Sequence, residues 1–286
     1  MRRLLALSTV VLLSGCGGSA APVRTAVPVE AVRTLSPGTA VSPATSVPPA
    51  PAAAAPVRKS PREAVERYLK TRPGRASVMV RDLRTGATFG YHQHERYITA
   101  SVMKVNILVG LLAQDRRVPW GTAGQMIRHS DNTAADSLYR LAGRGPGMGR
   151  VDRRLGLNHT VPFPTVWGAT RTDPDDQVKL LGFLAGDKGP LSAAERRRVL
   201  HLMETVTPDQ RWGIGAAARR GDRVANKNGW TPVRFQGSGW SVHSIGRITG
   251  HGHDYLVAVF SAEQPSMETG VRTVEGLARI AVGGLR

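Results

Sequence analysis

The alternation of apolar and polar positions changes period twice along this chain. "SVMVRD" (Ser77 to Asp82) alternates with a period of two, "LRTGAT" supplies a turn, and "FGYHQHERY" returns to extended character. A β-hairpin is therefore expected over Ser77 to Tyr97. The spacing then becomes helical over Ala100 to Gln114, Ala123 to Arg128, Thr133 to Leu141, Asp175 to Leu184 and Ala193 to Glu204. Three strand-like runs follow, "DRVANKNGW", "GWSVHSIGRITG" and "DYLVAVFSAE", with turn signals at Gln236-Gly237 and His251-Gly252. An amphipathic helix from Met267 to Ala281 ends the pattern. Strands from both ends of the chain around a helical middle predict an α+β fold, one antiparallel sheet with helices packed on it.

The first 60 residues lie outside this pattern. "MRRLLALSTVVLLSGCGG" has two arginines and an apolar stretch from Leu4 to Leu13, too short for a permanent bilayer helix and shaped like an export signal. Its end, Leu13-Ser14-Gly15-Cys16, resembles the lipobox of bacterial lipoproteins, which implies cleavage before Cys16 and lipid on that sulfur. Residues 1–16 are thus read as a lipoprotein signal, and the product as lipid-anchored on the extracytoplasmic face of the cell membrane. Residues 17–60 carry eight prolines in 44 positions and no aromatic residue. Such a segment forms neither a regular helix nor a core, so it reads as a disordered tether, spanning on the order of 100 Å at about 3.1 Å per residue if extended. With Cys16 the only cysteine, the mature chain has no internal disulfide. Residues 61–286 remain as one folded domain.

Charge changes the picture less than its size suggests. The chain has 39 Lys plus Arg against 21 Asp plus Glu, a formal net charge of +18. A basic balance of that size raises nucleic acid as a partner, but export, sparse aromatics and scattered basic clusters (Asp115 to Arg117, Glu195 to Arg198, Ala218 to Arg223) point instead to solvated surfaces. The expected partner list has no nucleic acid, and the domain reads as a monomer.

The candidate chemistry begins at "YITASVMKVNILVG" (Tyr97 to Gly110), where Ser101 precedes Lys104 by three residues at the head of an apolar helix. On a helix, positions i and i+3 share a face. A lysine in a buried first turn loses solvation, which favours its neutral, basic form. The same residues also suit an ordinary helix cap, so the pair alone leaves both readings open. Twenty-nine residues after Ser101 comes Ser130-Asp131-Asn132, and much later "VANKNGW" sets Lys227, Asn228 and Gly229 on a strand.

Ser-x-x-Lys on a helix start, Ser-Asp-Asn on a loop and Lys-Asn-Gly on a strand, in that order, resemble the serine β-lactamase and penicillin-binding protein superfamily, whose signature is S-x-x-K, S-D-N and K-T-G. The similarity covers the chain after the tether and is nearest to the class A β-lactamase-like proteins. It implies a five-stranded antiparallel sheet flanked by helices plus a helical lobe, shortened because Ser101 and Ser130 stand closer in sequence than in ordinary class A enzymes. It further implies Ser101 as the acylated nucleophile, Lys104 as its proton acceptor, Ser130 as proton relay to the leaving nitrogen, and Lys227 as support for that relay and for a substrate carboxylate. Asn132 would bind the acyl side-chain amide, and Asp131 would pin its loop. Backbone N–H groups of Ser101 and Trp230 would form the oxyanion hole, with Asn228, Gly229 and Trp230 in the substrate-binding edge. A small-molecule β-lactam or a cell-wall peptide is the implied substrate.

Three departures accompany the resemblance. Asn228 replaces the usual threonine, which changes the reach toward a substrate carboxylate. No glutamate lies between Glu95 and Glu195, whereas class A enzymes carry one before the equivalent of "TRTDPDD" to activate the deacylating water. Asp173, Asp175 and Asp176 are the nearest acids and read as a helix N-terminus. His92 and His94, like His251 and His253, put two histidines near an acid, but neither run carries a third ligand at suitable spacing, so neither metal nor other cofactor is expected. Among Trp167, Trp212, Trp230 and Trp240, Trp230 is the one expected to line a cleft, the others being core or interface. Two function classes stay open: a membrane-tethered active-site serine hydrolase with deacylation in doubt, and a catalytically silent or penicillin-binding-like lipoprotein that binds cell-wall peptides.

Overall fold

The computed structural model describes residues 60–186, 188–233 and 239–286. The export signal, Cys16, the tether up to Lys59 and the turn at Gln236-Gly237 lie outside the described residues. No helix among the described residues is long and apolar enough to cross a membrane.

The centre is a five-stranded antiparallel sheet of order β2-β1-β7-β6-β5, built from β1 (Arg75–Asp82), β2 (Thr88–Tyr91), β5 (Arg223–Pro232), β6 (Trp240–Gly250) and β7 (His253–Gln264). β7 shows why one sheet serves two cores. Tyr255, Val257 and Val259 enter the layer formed with α1 (Pro61–Leu69) and α8 (Met267–Gly283). The alternate residues Leu256, Ala258 and Phe260 enter the other layer, around α2 (Met103–Leu112), α3 (Trp120–Arg128), α4 (Asn132–Leu141), α6 (Pro174–Ala185) and α7 (Ala193–Glu204). A strand buried on both faces needs a continuous apolar run rather than alternation, and "YLVAVF" is one. The β6–β7 turn matches its sequence signal, since His251 and Gly252 have φ of +45° and +79°, the mirror-image turn that joins twisted strands.

Three differences from the pattern-based reading have physical causes. The expected hairpin ends at Tyr91: the chain then leaves the main sheet, and Tyr97–Ile98 (β3) pairs with Arg171–Thr172 (β4) as a separate two-stranded sheet. Two helices go unmarked in the sequence reading. α1 opens on Pro61 with Ser60 capping the Glu63 N–H at 3.2 Å, a start signal hidden by the proline-rich run before it. The other, α5 (Arg144–Arg154), contains "RGPGMGR", whose glycines oppose helix locally. Packing explains two of them, because a Cβ on Gly147 would lie 2.0 Å from the Ala142 carbonyl oxygen and one on Gly145 would lie 2.7 Å from Pro164 Cα.

α2 is buried at all ten positions, Lys104 included, as expected for a helix apolar on every side. It is the post on which the site stands. Phe260 of β7 belongs to the same core, fully buried and against the rings of His243 and Tyr97. Phe260→Ala is expected to destabilise the domain by about 3–5 kcal/mol, read as a lowered midpoint with unchanged slope in urea unfolding.

Candidate active site

The serine and lysine of the first motif occupy different kinds of backbone. Ala100 to Val102 form a single tight turn, and α2 proper begins at Met103. Ala100 has φ +44°, a left-handed conformation costing of order 1–3 kcal/mol for a residue with a side chain. The capping explanation of Ser101 fails, since neither the tight turn nor α2 has a side-chain cap. Thr99 instead reaches the Trp167 and Gly168 carbonyls, each at 3.4 Å. Ser101 is half-buried and lines a cleft of about 680 Å³.

Ser130 sits between α3 and α4 with φ +56°, and Asp131 beside it caps α4 by accepting the Ala134 N–H at 2.6 Å. The strained residue is thus fixed by a helix start, which aims its hydroxyl. Lys104 Nζ donates to the Ser130 carbonyl at 2.6 Å, to Ser130 Oγ at 3.1 Å and to Asn132 Oδ1 at 2.8 Å. From the sheet, Lys227 Nζ donates to the same Ser130 Oγ at 3.0 Å and to the Asn228 carbonyl at 2.8 Å. Three separated motifs therefore meet at one hydroxyl. Among the described residues Ser101 Oγ makes no hydrogen bond. The Lys104 amine is engaged with the second motif, and hydrogen bonds of this kind of site often tighten only in a substrate complex.

Both amines are displaced toward neutrality. Burial brings Lys104 down to about 8, against the opposing pull of Asp131 and Asp136. Burial, and then the nearby charge of Lys104, hold Lys227 well below the ordinary lysine range. Two ammonium groups on one desolvated hydroxyl repel each other, so the pair favours a single proton shared through Ser130.

Gly229 has a steric reason for its place. A Cβ there would come within 2.8 Å of the Val102 N, 2.9 Å of the Ser101 N and 2.9 Å of the Thr99 carbonyl oxygen. Only glycine lets β5 run so close to the turn carrying Ser101. Trp230 lines the cleft, packed edge-on against Trp212 with ring centroids 5.8 Å apart.

Two expectations are corrected. Asn228 does not face the cleft: it is fully buried, and its Nδ2 donates to the Gln210 and Trp212 carbonyls at 2.9 and 3.0 Å. Strand alternation is the reason, because Asn226 two residues earlier donates to the same Gln210 oxygen, while Lys227 between them points to Ser130. Trp167, read as core or interface, is a wall of the cleft. Its ring centroid lies 4.7 Å from Lys104 Nζ and its Nε1 donates to Asp136 at 2.7 Å. No local spacing links Trp167 to Lys104, so the sequence carries no signal for this contact. Phe163, Val166, Ile98 and Ala169 add apolar surface to the cleft, and no charged side chain lines it among the described residues. Asp173 caps α6 through the Asp176 N–H at 2.8 Å, as its position at a helix start suggested.

With this geometry in place, the chain belongs to the β-lactamase enzyme family, whose family model matches residues 60–117 and 120–285. No curated protein matches the chain. Its fold is similar to that of the TLA-1 extended-spectrum β-lactamase, with TM-score 0.70 and 17% identity over 79% of this chain and 98% of that one. A class A β-lactamase from Mycobacterium abscessus gives 0.66 and 23% over 79% and 99%. A mutant of PBP-A, solved as an acyl-enzyme complex with penicillin G, gives 0.68 and 19% over 79% and 95%. The fold is therefore that of the serine β-lactamase and penicillin-binding superfamily.

Gly229→Ala tests the close approach of β5. The added methyl must push the Ser101 turn or the strand aside, which is expected to cost about 1–3 kcal/mol of stability in denaturant unfolding.

Proposed function

We propose that this protein is an active-site serine hydrolase that is acylated at Ser101 by a β-lactam or a related amide or ester and releases the acyl group slowly. The observation that carries the reading is the Ser130 hydroxyl held between the Lys104 and Lys227 amines, at 3.1 and 3.0 Å, in the site whose cleft Ser101 and Asn132 line. In this reading Lys104, neutral, takes the Ser101 proton as Oγ attacks the carbonyl carbon. The carbonyl oxygen becomes an oxyanion facing the Ser101 and Trp230 N–H groups. Ser130 passes a proton to the departing nitrogen as the C–N bond breaks, and regains one from the lysine pair. Asn132, whose Oδ1 is taken by Lys104, offers its amide N–H groups to the acyl side chain. The acyl-enzyme captured with penicillin G in a PBP-A mutant supports such an intermediate on this fold.

Slow release follows from the cleft's composition. Water attack on the ester needs a base, and the wall that faces Lys104 presents Trp167, with Phe163 and Val166 beside it, rather than a carboxylate. Loss of a general base typically removes 10² to 10⁴ in rate. Asp173 and Asp176 do not supply the base, since both are fully buried and committed to α6 and the His159–Thr160 turn.

Mass spectrometry of the chain with a fluorescent penicillin is expected to give a long-lived adduct on Ser101, absent from Ser101→Ala. The labelling rate should climb as pH rises through about 8, because that is where Lys104 becomes neutral, and Lys104→Met should remove both the climb and most of the rate. No adduct with either the penicillin or an ester-directed fluorophosphonate would refute the assignment. Rapid turnover of a chromogenic cephalosporin would refute slow release alone.

We further propose that the domain works outside the cytoplasmic membrane, tethered by lipid on Cys16 through the proline-rich segment. Support comes from the lipobox-like Leu13-Ser14-Gly15-Cys16 and from Cys16 being the only cysteine. In a bacterial host, an alkynyl fatty acid should label the wild-type chain and partition it to membranes, and Cys16→Ser should abolish both; equal labelling of the two would sink the proposal.

A further inference from the structure

Neither histidine-rich run carries a third metal ligand in sequence, but folding brings two to His94. The segment after β2 sets His94 beside His159, which follows α5, and beside Asp173, which opens α6. These three offer ligand atoms within 4.8 Å of one another. His94 Nδ1 is 3.6 Å from Asp173 Oδ2, and His159 Nδ1 is hydrogen-bonded to that same oxygen. The two imidazoles stand edge to face with centroids 5.3 Å apart. Among the described residues no other trio of such side chains comes this close. The second run resolves differently: His253 pairs with Asp222 at 3.0 Å, and His251 Nε2 meets the Arg220 carbonyl at 2.8 Å.

We propose that His94, His159 and Asp173 bind a zinc ion, with water at the fourth position. Two imidazole nitrogens and one carboxylate form a donor set that zinc favours, and bonds of about 2.0–2.2 Å put tetrahedral ligands roughly 3.5 Å apart. Fitting the ion asks a small turn of His94, whose side chain is 55% exposed and makes no hydrogen bond among the described residues, and an opening of the direct His159–Asp173 contact as the ion enters between them. The other two ligands are already oriented. Asp173 is fully buried with Oδ1 held by the Asp176 N–H, and the His159 backbone N–H donates to Asp176 at 2.8 Å. Such support is how proteins pre-set metal ligands. Asp175 is left out because it pairs with Lys179 at 2.9 Å. Zinc takes the place of the hydrogen bond between His159 Nδ1 and Asp173, and the bound imidazole carries its hydrogen on Nε2.

The position gives the ion a structural consequence. His159 and Asp173 are the two ends of the segment whose Phe163, Val166, Trp167, Gly168 and Ala169 form one wall of the Ser101 cleft. Zinc would tie both ends to a third element through His94, holding that wall in place.

The test is zinc titration calorimetry and thermal unfolding on the untagged, chelator-stripped full chain carrying Cys16→Ser, so that the lone thiol does not compete. Expected are a single saturable site and a zinc-dependent rise in Tm, with affinity falling at least about tenfold in His94→Ala and unchanged in His251→Ala. His94 is exposed, so its replacement leaves the fold intact, which circular dichroism checks. Absence of saturable binding, undiminished binding in His94→Ala, or equal loss in His251→Ala would overturn the proposal.

Discussion

A single hydroxyl between two desolvated amines is the constraint around which this structure is arranged. Ser130 Oγ receives Lys104 from a buried helix and Lys227 from the edge strand β5, at nearly equal distances. Among the described residues neither lysine has a carboxylate at hydrogen-bond distance to neutralise it. Burying two unpaired ammonium groups would cost several kcal/mol each, and the site lowers that cost by letting protons leave and by giving the amines neutral oxygen acceptors. The same features that make the arrangement tolerable to the fold are the ones the proposed chemistry uses, a neutral buried amine as base and a shared hydroxyl as proton relay.

Holding that contact requires three elements in fixed relation, and the two cores supply it. α2 is clamped on every side, so Lys104 has no alternative position. β5 is set against the Ser101 turn at a distance only Gly229 allows, which carries Lys227 and Trp230 with it. The Ser130 segment bears left-handed strain, and the Asp131 cap of α4 offsets part of it. Strain at Ala100 and Ser130, each next to a residue that lines the cleft or caps α4, belongs to positions that the surrounding packing over-determines.

The wall opposite the sheet decides what the chemistry becomes. Trp167 places an aromatic face over the Lys104 amine, and the segment that carries it is closed at its base by the His159–Asp173 contact. An apolar cleft of this kind suits a ligand with an apolar group. The cleft wall is thus a loop whose two ends are fastened by side chains outside the cleft lining.

What the sequence alone determined was everything encoded by local period or local chemistry. Apolar alternation and continuous runs marked the strands β1, β5, β6 and β7, helical spacing marked α2, α3, α4, α6, α7 and α8, and three short motifs in a fixed order marked the family. Glycine and proline hid α5 and α1, because propensity opposes helix there and only close packing reveals why small residues are needed. The tertiary structure alone decided that Asn228 turns to the Gln210 loop rather than the cleft, that Trp167 covers Lys104, and that His94 meets His159 and Asp173. Periodicity tells which face a side chain takes relative to its own neighbours. Contacts between residues tens of positions apart depend on how whole elements pack, and no local spacing records that.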